Sequence, residues 1–160
     1  MRQGVEEGVD VRAGAHSDYG SLTLLFQLPG QPGLEIRTPG GGEWEAVGVD
    51  PAAAAGCGGV ERALPILVNI GDLLEDWTGG LLKSTVHRVV FPTGGEEGCD
   101  RYSMAYFCHP LDDAELVPVP SRMVEEHAVK EGVSGGRGEG KAMTAKDHLM
   151  SRLAASYTVK

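Results

Sequence analysis

The chain of 160 residues has few basic residues for its size. It contains 14 lysines and arginines against 23 aspartates and glutamates, which gives a formal net charge of -9. No basic cluster offsets this excess, so a nucleic-acid backbone would be repelled and nucleic acid is excluded as a partner. Its content of 41% hydrophobic and 23% charged residues is that of an ordinary soluble protein. The length indicates about one domain.

The sequence also lacks a long apolar run. The stretch LPILVNI is the longest, and it is far shorter than the roughly 20 residues that a membrane helix needs. The opening residues MRQGVEEGVD contain no apolar signal-peptide core, and they carry acidic residues that a transit peptide avoids. We therefore expect no membrane partner and a cytoplasmic location.

Cysteine is scarce. The three cysteines are Cys57, Cys99 and Cys108, and no two of them form a C-x-x-C pair. An odd number at wide spacing argues against a disulfide framework and against a zinc–thiolate site. We expect reduced thiols.

Short β-prone runs, separated by glycine and proline, fill the first 120 residues. The runs are VDVRAGAH, SLTLLFQL, GLEIRT, EWEAVGV, LPILVNI, STVHRVVFP and RYSMAYF. Six or seven short strands with turn signals between them predict a mainly β fold, a sandwich or a barrel. The PGGG turn predicts a hairpin of GLEIRT with EWEAVGV. The continuous apolar run LPILVNI predicts a strand buried on both faces. Residues 51–63 and 93–100 read as inserted loops.

The sequence changes character at about residue 121. Residues 121–143 are polar and rich in glycine, which predicts a linker. The stretch TAKDHLMSRLAASY then predicts a C-terminal amphipathic helix with an N-terminal capping box formed by Thr144 and Asp147. Apolar residues at helical spacing predict the packing face of this helix: Leu149, Met150, Leu153, Ala154 and Tyr157.

A histidine and an aspartate stand two residues apart in AHSDYGSLTLLFQ. In an extended segment, alternate side chains point to the same side, so His16 and Asp18 can direct an imidazole and a carboxylate to one point. Alone, such a pair is more often a polar turn than a metal site. His87, in STVHRVVFP, would complete two histidines and one carboxylate. That set binds one face of Fe(II) and leaves positions open for other ligands.

A second pair with the same spacing lies in RYSMAYF. Arg101 and Ser103 would face one side of a strand, where a guanidinium fork beside a hydroxyl makes a receptor for a carboxylate. The alternative for Arg101 is a surface ion pair with Glu96 or Glu97.

Three other histidines are rival ligands. We expect His109 at the domain surface or at the mouth of the site. We expect His127 and His148 to be exposed to solvent, as is usual for polar side chains.

Taken together, these motifs resemble a known family. AHSDYGSLTLLFQ, GLEIRT, LPILVNIGDLLEDWTGGLLKSTVHRVV and RYSMAYF are similar to the C-terminal catalytic domain of iron(II)/2-oxoglutarate-dependent dioxygenases, in the isopenicillin N synthase-like branch. The resemblance covers about residues 10–120. It implies a distorted double-stranded β-helix, or jelly roll, followed by a C-terminal α-helix. Residues 1–120 would form the catalytic domain, and residues 121–160 the linker and helix.

The resemblance also implies roles for individual residues. His16, Asp18 and His87 match the iron ligands, while Arg101 and Ser103 match the residues that bind the distal carboxylate of 2-oxoglutarate. In isopenicillin N synthase the same pair holds a substrate carboxylate instead. Three further matches are interpreted as structural, at a strand end, in a turn and in packing: Asn69, Asp72 and Trp77.

The implied activity is oxidation of a C–H bond of a small organic molecule, by hydroxylation or desaturation. Fe(II) would be the metal, with 2-oxoglutarate and O2 as co-substrates and with succinate and CO2 released. Members of this branch are about twice as long as this chain, so the jelly roll is expected to be incomplete on its N-terminal side. The missing N-terminal half of the same gene product is then the expected partner.

Two alternatives stay open at this point. The first is a truncated, non-catalytic remnant that keeps the metal and carboxylate motifs. The second is a cupin-like metal isomerase or metal-binding barrel, which would not need the Arg101 and Ser103 pair after the second histidine.

Overall fold

A computed structural model describes residues 10–40, 42–49, 64–91, 100–132 and 142–157 of the chain. Within those ranges it contains seven strands and three helices. The strands are β1 Val11–His16, β2 Leu22–Gln27, β3 Leu34–Arg37, β4 Trp44–Ala46, β5 Leu67–Ile70, β6 His87–Val90 and β7 Ser103–Cys108; the helices are α1 Asp72–Trp77, α2 Arg122–Lys130 and α3 Ala145–Tyr157. The prediction of a mainly β fold with a C-terminal helix is confirmed. Both predicted inserts, Cys57 and Cys99 lie outside the described residues, apart from Asp100 at the end of the second insert.

Four strands form one sheet in the order β1-β6-β3-β4. Strand β6 pairs antiparallel with both β1 and β3, and β3 pairs antiparallel with β4. The last pairing confirms the predicted hairpin, in which Arg37 lies opposite Trp44. In the β1–β6 pair His16 lies opposite His87, after two irregularities in the register. The register therefore brings together two histidines that are far apart in the sequence.

The remaining strands form a second sheet in the order β5-β2-β7. Its outer strands expose apolar side chains: Val68 is 57% exposed, and Met104 and Tyr106 are each 62% exposed. The prediction that LPILVNI is buried on both faces is therefore wrong. The run is an edge strand, and none of the described residues buries Ile66 or Val68. Apolar character in a sequence does not tell whether a covering layer is present.

The chain divides into two compact units. The first unit consists of residues 1–17, 24–69 and 85–106, and it contains the four-stranded sheet. Behind His87 on the same strand, Arg88 is buried, donates from Nε to Glu35 at 2.7 Å and stacks over the Trp44 ring at 4.1 Å. A buried arginine needs such partners, because an unpaired charge would cost several kcal/mol.

The second unit consists of residues 18–23, 70–84 and 107–160, and it contains the three helices. Leu73 of α1 is fully buried, and Val124 of α2 is buried as well. Helix α2 lies in the segment that was predicted as a linker. Val124 is the residue of this mostly polar helix that is buried, and its burial helps to hold the helix in place.

Helix α3 begins at the predicted capping box. The Thr144 backbone N–H donates to the Asp147 carboxylate, and the Asp147 backbone N–H donates to the Thr144 hydroxyl, both at 3.2 Å. The predicted packing face is only partly right, since Met150 is 56% exposed. The helix buries Ala145 and His148 instead, so the prediction of a solvent-exposed His148 is wrong. The Nε2 atom of His148 donates to the Asp76 carboxylate of α1 at 3.0 Å, and this hydrogen bond offsets the cost of burying the ring.

Within the described ranges, every helix is too short or too polar to cross a membrane.

Candidate metal centre and carboxylate receptor

His16, Asp18 and His87 come together at the end of β1 and the start of β6. One ligand atom of each of the three residues lies within 4.8 Å of the ligand atoms of the other two. The two imidazole rings have their centroids 4.3 Å apart and are tilted by 55°. Among the described residues, this is the one group of three or more histidines, cysteines and carboxylates close enough to share an ion.

Hydrogen bonds set the tautomer of both histidines. The ring nitrogen Nδ1 of His16 lies 2.7 Å from the carbonyl oxygen of Gly14, and Nδ1 of His87 lies 3.1 Å from that of Thr85. A carbonyl oxygen only accepts, so Nδ1 must carry the proton in each ring. In a neutral ring with this arrangement the lone pair is on Nε2, and a histidine then binds a metal through Nε2 while Nδ1 holds the ring in place.

The carboxylate of the group is buried. The hydroxyl of Thr23 donates a hydrogen bond of 2.6 Å to Oδ2 of Asp18. Thr23 is itself buried, near the start of β2. Burial of a carboxylate is costly unless it is hydrogen-bonded or paired with a cation. The Thr23 hydroxyl supplies a hydrogen bond, and a metal ion shared with His16 and His87 would supply a cation as well.

The N-terminus of α1 holds the backbone of the loop that carries Asp18. The Asp72 backbone N–H donates to the Asp18 carbonyl at 2.7 Å, and the Gly71 N–H donates to the Ser21 carbonyl at 2.9 Å. A Cβ atom at Gly71 would lie 2.2 Å from the Gly20 carbonyl oxygen, so only glycine permits this close approach. The motif NIGD therefore has a structural use: Asn69 lies in β5 and Asp72 begins a helix rather than a turn.

The geometry of the three residues suits a metal ion. Metal–nitrogen and metal–oxygen bonds of about 2.0–2.2 Å place two ligands of one ion at most about 4.4 Å apart. Separations within 4.8 Å are therefore closed by small side-chain movements. Two imidazoles and one carboxylate, with open positions, are the donor set that non-haem Fe(II) takes.

Arg101 and Ser103 also lie together. Arg101 donates from Nη1 to the Ser103 hydroxyl at 3.0 Å and from Nη2 to Gln27 Oε1 at 2.6 Å. The Arg101 Nε is buried and has no hydrogen-bond partner. Glu96 and Glu97, the alternative partners in the sequence, lie outside the described residues. A guanidinium held at both ends by neutral groups is ready to accept an anion.

The electrostatics of Arg101 favour the same conclusion. Burial lowers the pKa of Arg101 below its ordinary value, and the positive charge of Arg12 lowers it further. The guanidinium remains protonated at neutral pH, because its ordinary pKa is far above 7. A bound carboxylate would relieve both effects, by pairing the buried charge and by offsetting the repulsion between the two arginines.

Sequence reasoning missed Gln27 and Thr23, the two side chains that support these groups. Both are buried polar residues on β2, four positions apart and therefore on one face of the strand. The alternation in SLTLLFQ placed polar Thr23 and Gln27 on one side, and that was the available signal. Gln27 and Ser103 also line a mostly apolar cavity of about 310 Å³ beside Arg101.

The rival histidines have other surroundings. His109 is half-buried, and its Nδ1 donates to the Pro110 carbonyl at 2.9 Å. His127 is half-buried on α2, and His148 is paired with Asp76. None of the three belongs to the ligand group.

Comparison with known proteins gives a consistent result. The profile of the 2OG-Fe(II) oxygenase superfamily matches residues 3–110. The 2-oxoglutarate-dependent dioxygenase traH of Penicillium crustosum is 39% identical over 103 residues, 64% of this chain and 27% of that protein. The proline hydroxylase buaE of Petromyces alliaceus is 35% identical over 151 residues, 92% of this chain and 41% of that protein.

A solved structure agrees in fold. A full-length Neurospora crassa protein, crystallised in complex with alpha-KG and thymine, is 34% identical and has a TM-score of 0.64. The alignment covers 92% of this chain and 38% of that chain. This chain thus spans well under half the length of the relatives it matches.

Proposed function

This chain belongs to the 2OG-Fe(II) oxygenase superfamily, and on that premise we propose that it is the iron- and co-substrate-binding part of an Fe(II)- and 2-oxoglutarate-dependent oxygenase. The reaction is hydroxylation or desaturation of a C–H bond in a small organic molecule, with release of succinate and CO2. The observation that carries the proposal is the group of His16, Asp18 and His87, in which Nδ1 of both rings is hydrogen-bonded to a backbone carbonyl.

The three residues of this group hold the metal. His16 and His87 bind through Nε2, and Asp18 supplies the negative charge that a divalent cation needs. When bound, Fe(II) supplies the activation of O2 and the oxidation of the C–H bond. The carbonyls of Gly14 and Thr85 keep the two rings oriented through Nδ1, which leaves Nε2 as the nitrogen for the metal.

Arg101 binds the distal carboxylate of 2-oxoglutarate in this proposal. The guanidinium presents a planar set of donors, which Gln27 and Ser103 hold in position. Because Arg101 is partly withdrawn from water, a carboxylate there pairs more strongly than it would at the surface.

We further propose that the working enzyme contains additional polypeptide and acts in the cytoplasm. Relatives are more than twice as long as the part that this chain matches. The exposed apolar side chains in β5 and β7 and just before each strand form a surface that a monomer rarely leaves open: Leu64, Ile66, Val68, Tyr102, Met104 and Tyr106. N-terminal polypeptide of the same gene product is the partner that fits this surface.

Anaerobic titration with Fe(II) and 2-oxoglutarate tests the proposal. We expect a metal-to-ligand charge-transfer absorption that His87→Ala and Arg101→Ala each abolish or strongly weaken. The matched controls are His127→Ala and Arg122→Ala, which remove a histidine and an arginine of α2 outside the site. A band that is absent from the unaltered chain, or that survives both site variants, contradicts the proposal.

A succinate assay in air separates the enzyme from a binding remnant. Succinate formed by this chain supports a complete catalytic unit. Succinate formed only by the longer gene product supports the covering role of the additional polypeptide. Binding without succinate in either protein supports the remnant.

A further inference from the structure

The hydroxyl of Thr23 is positioned on the one carboxylate of the ligand group. Thr23 Oγ1 donates to Asp18 Oδ2 at 2.6 Å, and the two side chains are 5% and 8% exposed. A hydroxyl–carboxylate hydrogen bond of this length is charge-assisted and among the stronger ones in proteins. Because both groups are buried, water competes little for this hydrogen bond.

The Asp18 backbone is already held in place by α1. The Asp72 N–H donates to the Asp18 carbonyl, and Gly71 packs directly against the carbonyl oxygens of Asp18 and Gly20. The terminal torsion of the carboxylate has a broad energy profile, so contacts of the side chain decide its orientation. A carboxylate that rotates can bind a metal through either oxygen or through both.

We propose that Thr23 is a positioning residue for the metal ligand Asp18, which its hydroxyl restrains to bind through Oδ1 alone. This inference rests on the proposed function, since it assumes that Asp18 binds the ion. It assigns a role to Thr23, the first buried residue along β2. Outer hydrogen bonds of this kind typically change metal affinity by about 10- to 100-fold.

Anaerobic titration with Co(II), a spectroscopic stand-in for Fe(II), tests the inference. Thr23→Val replaces the hydroxyl by a methyl group of similar size, and Thr23→Ala removes it without adding bulk. We expect both to bind Co(II) about 10- to 100-fold more weakly and with an altered ligand-field spectrum. Thr23→Ser, which keeps the hydroxyl, should restore most of the affinity and the original spectrum.

Thr78→Val is the matched control. Thr78 is as buried as Thr23, at 5% exposure, but its hydroxyl donates to the Leu74 carbonyl at 2.8 Å and contacts no ligand. We expect this variant to lower stability while leaving the Co(II) spectrum and affinity unchanged. A loss of affinity equal to that of Thr23→Val would show that a buried threonine acts only through folding.

The two proposals fail in different ways. If the unaltered chain binds no Co(II), the proposed function is wrong. If the unaltered chain binds Co(II) and both Thr23→Val and Thr23→Ala match it in affinity and spectrum, the role of Thr23 is wrong and the metal site stands. Circular dichroism confirms that each measured variant is folded.

Discussion

Gly71→Ala should disrupt the packing of α1 against the loop that carries Asp18. The new methyl carbon would lie 2.2 Å from the Gly20 carbonyl oxygen and 2.9 Å from the Asp18 carbonyl oxygen. Both contacts are with backbone, so no flexible side chain can move aside. The Gly71 backbone is extended, at φ -99° and ψ 171°, which any residue adopts. The cost is therefore steric rather than conformational.

The size of the stability loss follows from the hydrogen bonds that the substitution weakens. To clear the overlap, α1 has to move off the loop, which weakens three backbone hydrogen bonds of 2.7, 2.9 and 3.2 Å. Each contributes about 0.5–1.5 kcal/mol. Overpacking of this kind costs about 1–3 kcal/mol. Moving α1 away relieves the overpacking but weakens the hydrogen bonds further, so the two costs cannot both be avoided. We therefore expect a loss of about 2–4 kcal/mol in the free energy of unfolding.

Urea unfolding of the metal-free chain, followed by circular dichroism, measures this loss. The control is Gly48→Ala, where an added Cβ meets nothing within 4 Å, and where we expect a change within about 0.5 kcal/mol. Co(II) affinity should also fall in Gly71→Ala, because Asp18 moves with the loop. If Gly71→Ala is as stable as Gly48→Ala, α1 does not hold the loop in the way described.

Two further predictions concern the packing of the second unit. Leu73→Ala removes a fully buried side chain and should cost about 2–5 kcal/mol, whereas Leu111→Ala, at a residue that is 80% exposed, should change little; equal urea midpoints would contradict this. His148→Ala should cost about 1–3 kcal/mol because it leaves a cavity and removes a hydrogen bond. Asp76→Ala should also cost about 1–3 kcal/mol, because the His148 ring is 3% exposed and its Nε2 loses its hydrogen-bond partner. Thermal unfolding in which either variant is as stable as the unaltered chain would refute the reasoning.

The positions of the strands could be predicted because each is a short apolar or alternating run between turn residues. The hairpin of β3 and β4 and the capping box of α3 are local features, and both are confirmed. The exposure of β5 and the burial of His148 could not be predicted. Burial of His148 depends on its contact with Asp76, which is 72 positions away in the sequence. Exposure of β5 depends on whether a covering layer is present, and among the described residues none covers Val68.

The candidate site shows the same division. The pattern of His16, Asp18 and His87, followed by Arg101 and Ser103, was enough to predict an iron site and a carboxylate receptor. It contained no information on which nitrogen of each histidine carries the proton. That depends on the carbonyls of Gly14 and Thr85, each two residues before its histidine, whose directions are set by the backbone conformation in β1 and just before β6.

The sequence by itself determined the residue types that a metal and a carboxylate require, and the local order of strands and turns around them. Only the tertiary structure decided which buried groups support them. Thr23 donates a hydrogen bond to Asp18, and Gln27 accepts one from Arg101. The N-terminus of α1 donates backbone hydrogen bonds to the loop that carries Asp18. The physical reason is that a ligand type is a property of one residue. The orientation of that ligand is a property of hydrogen bonds, and in these contacts the partners are separated by five to more than seventy positions.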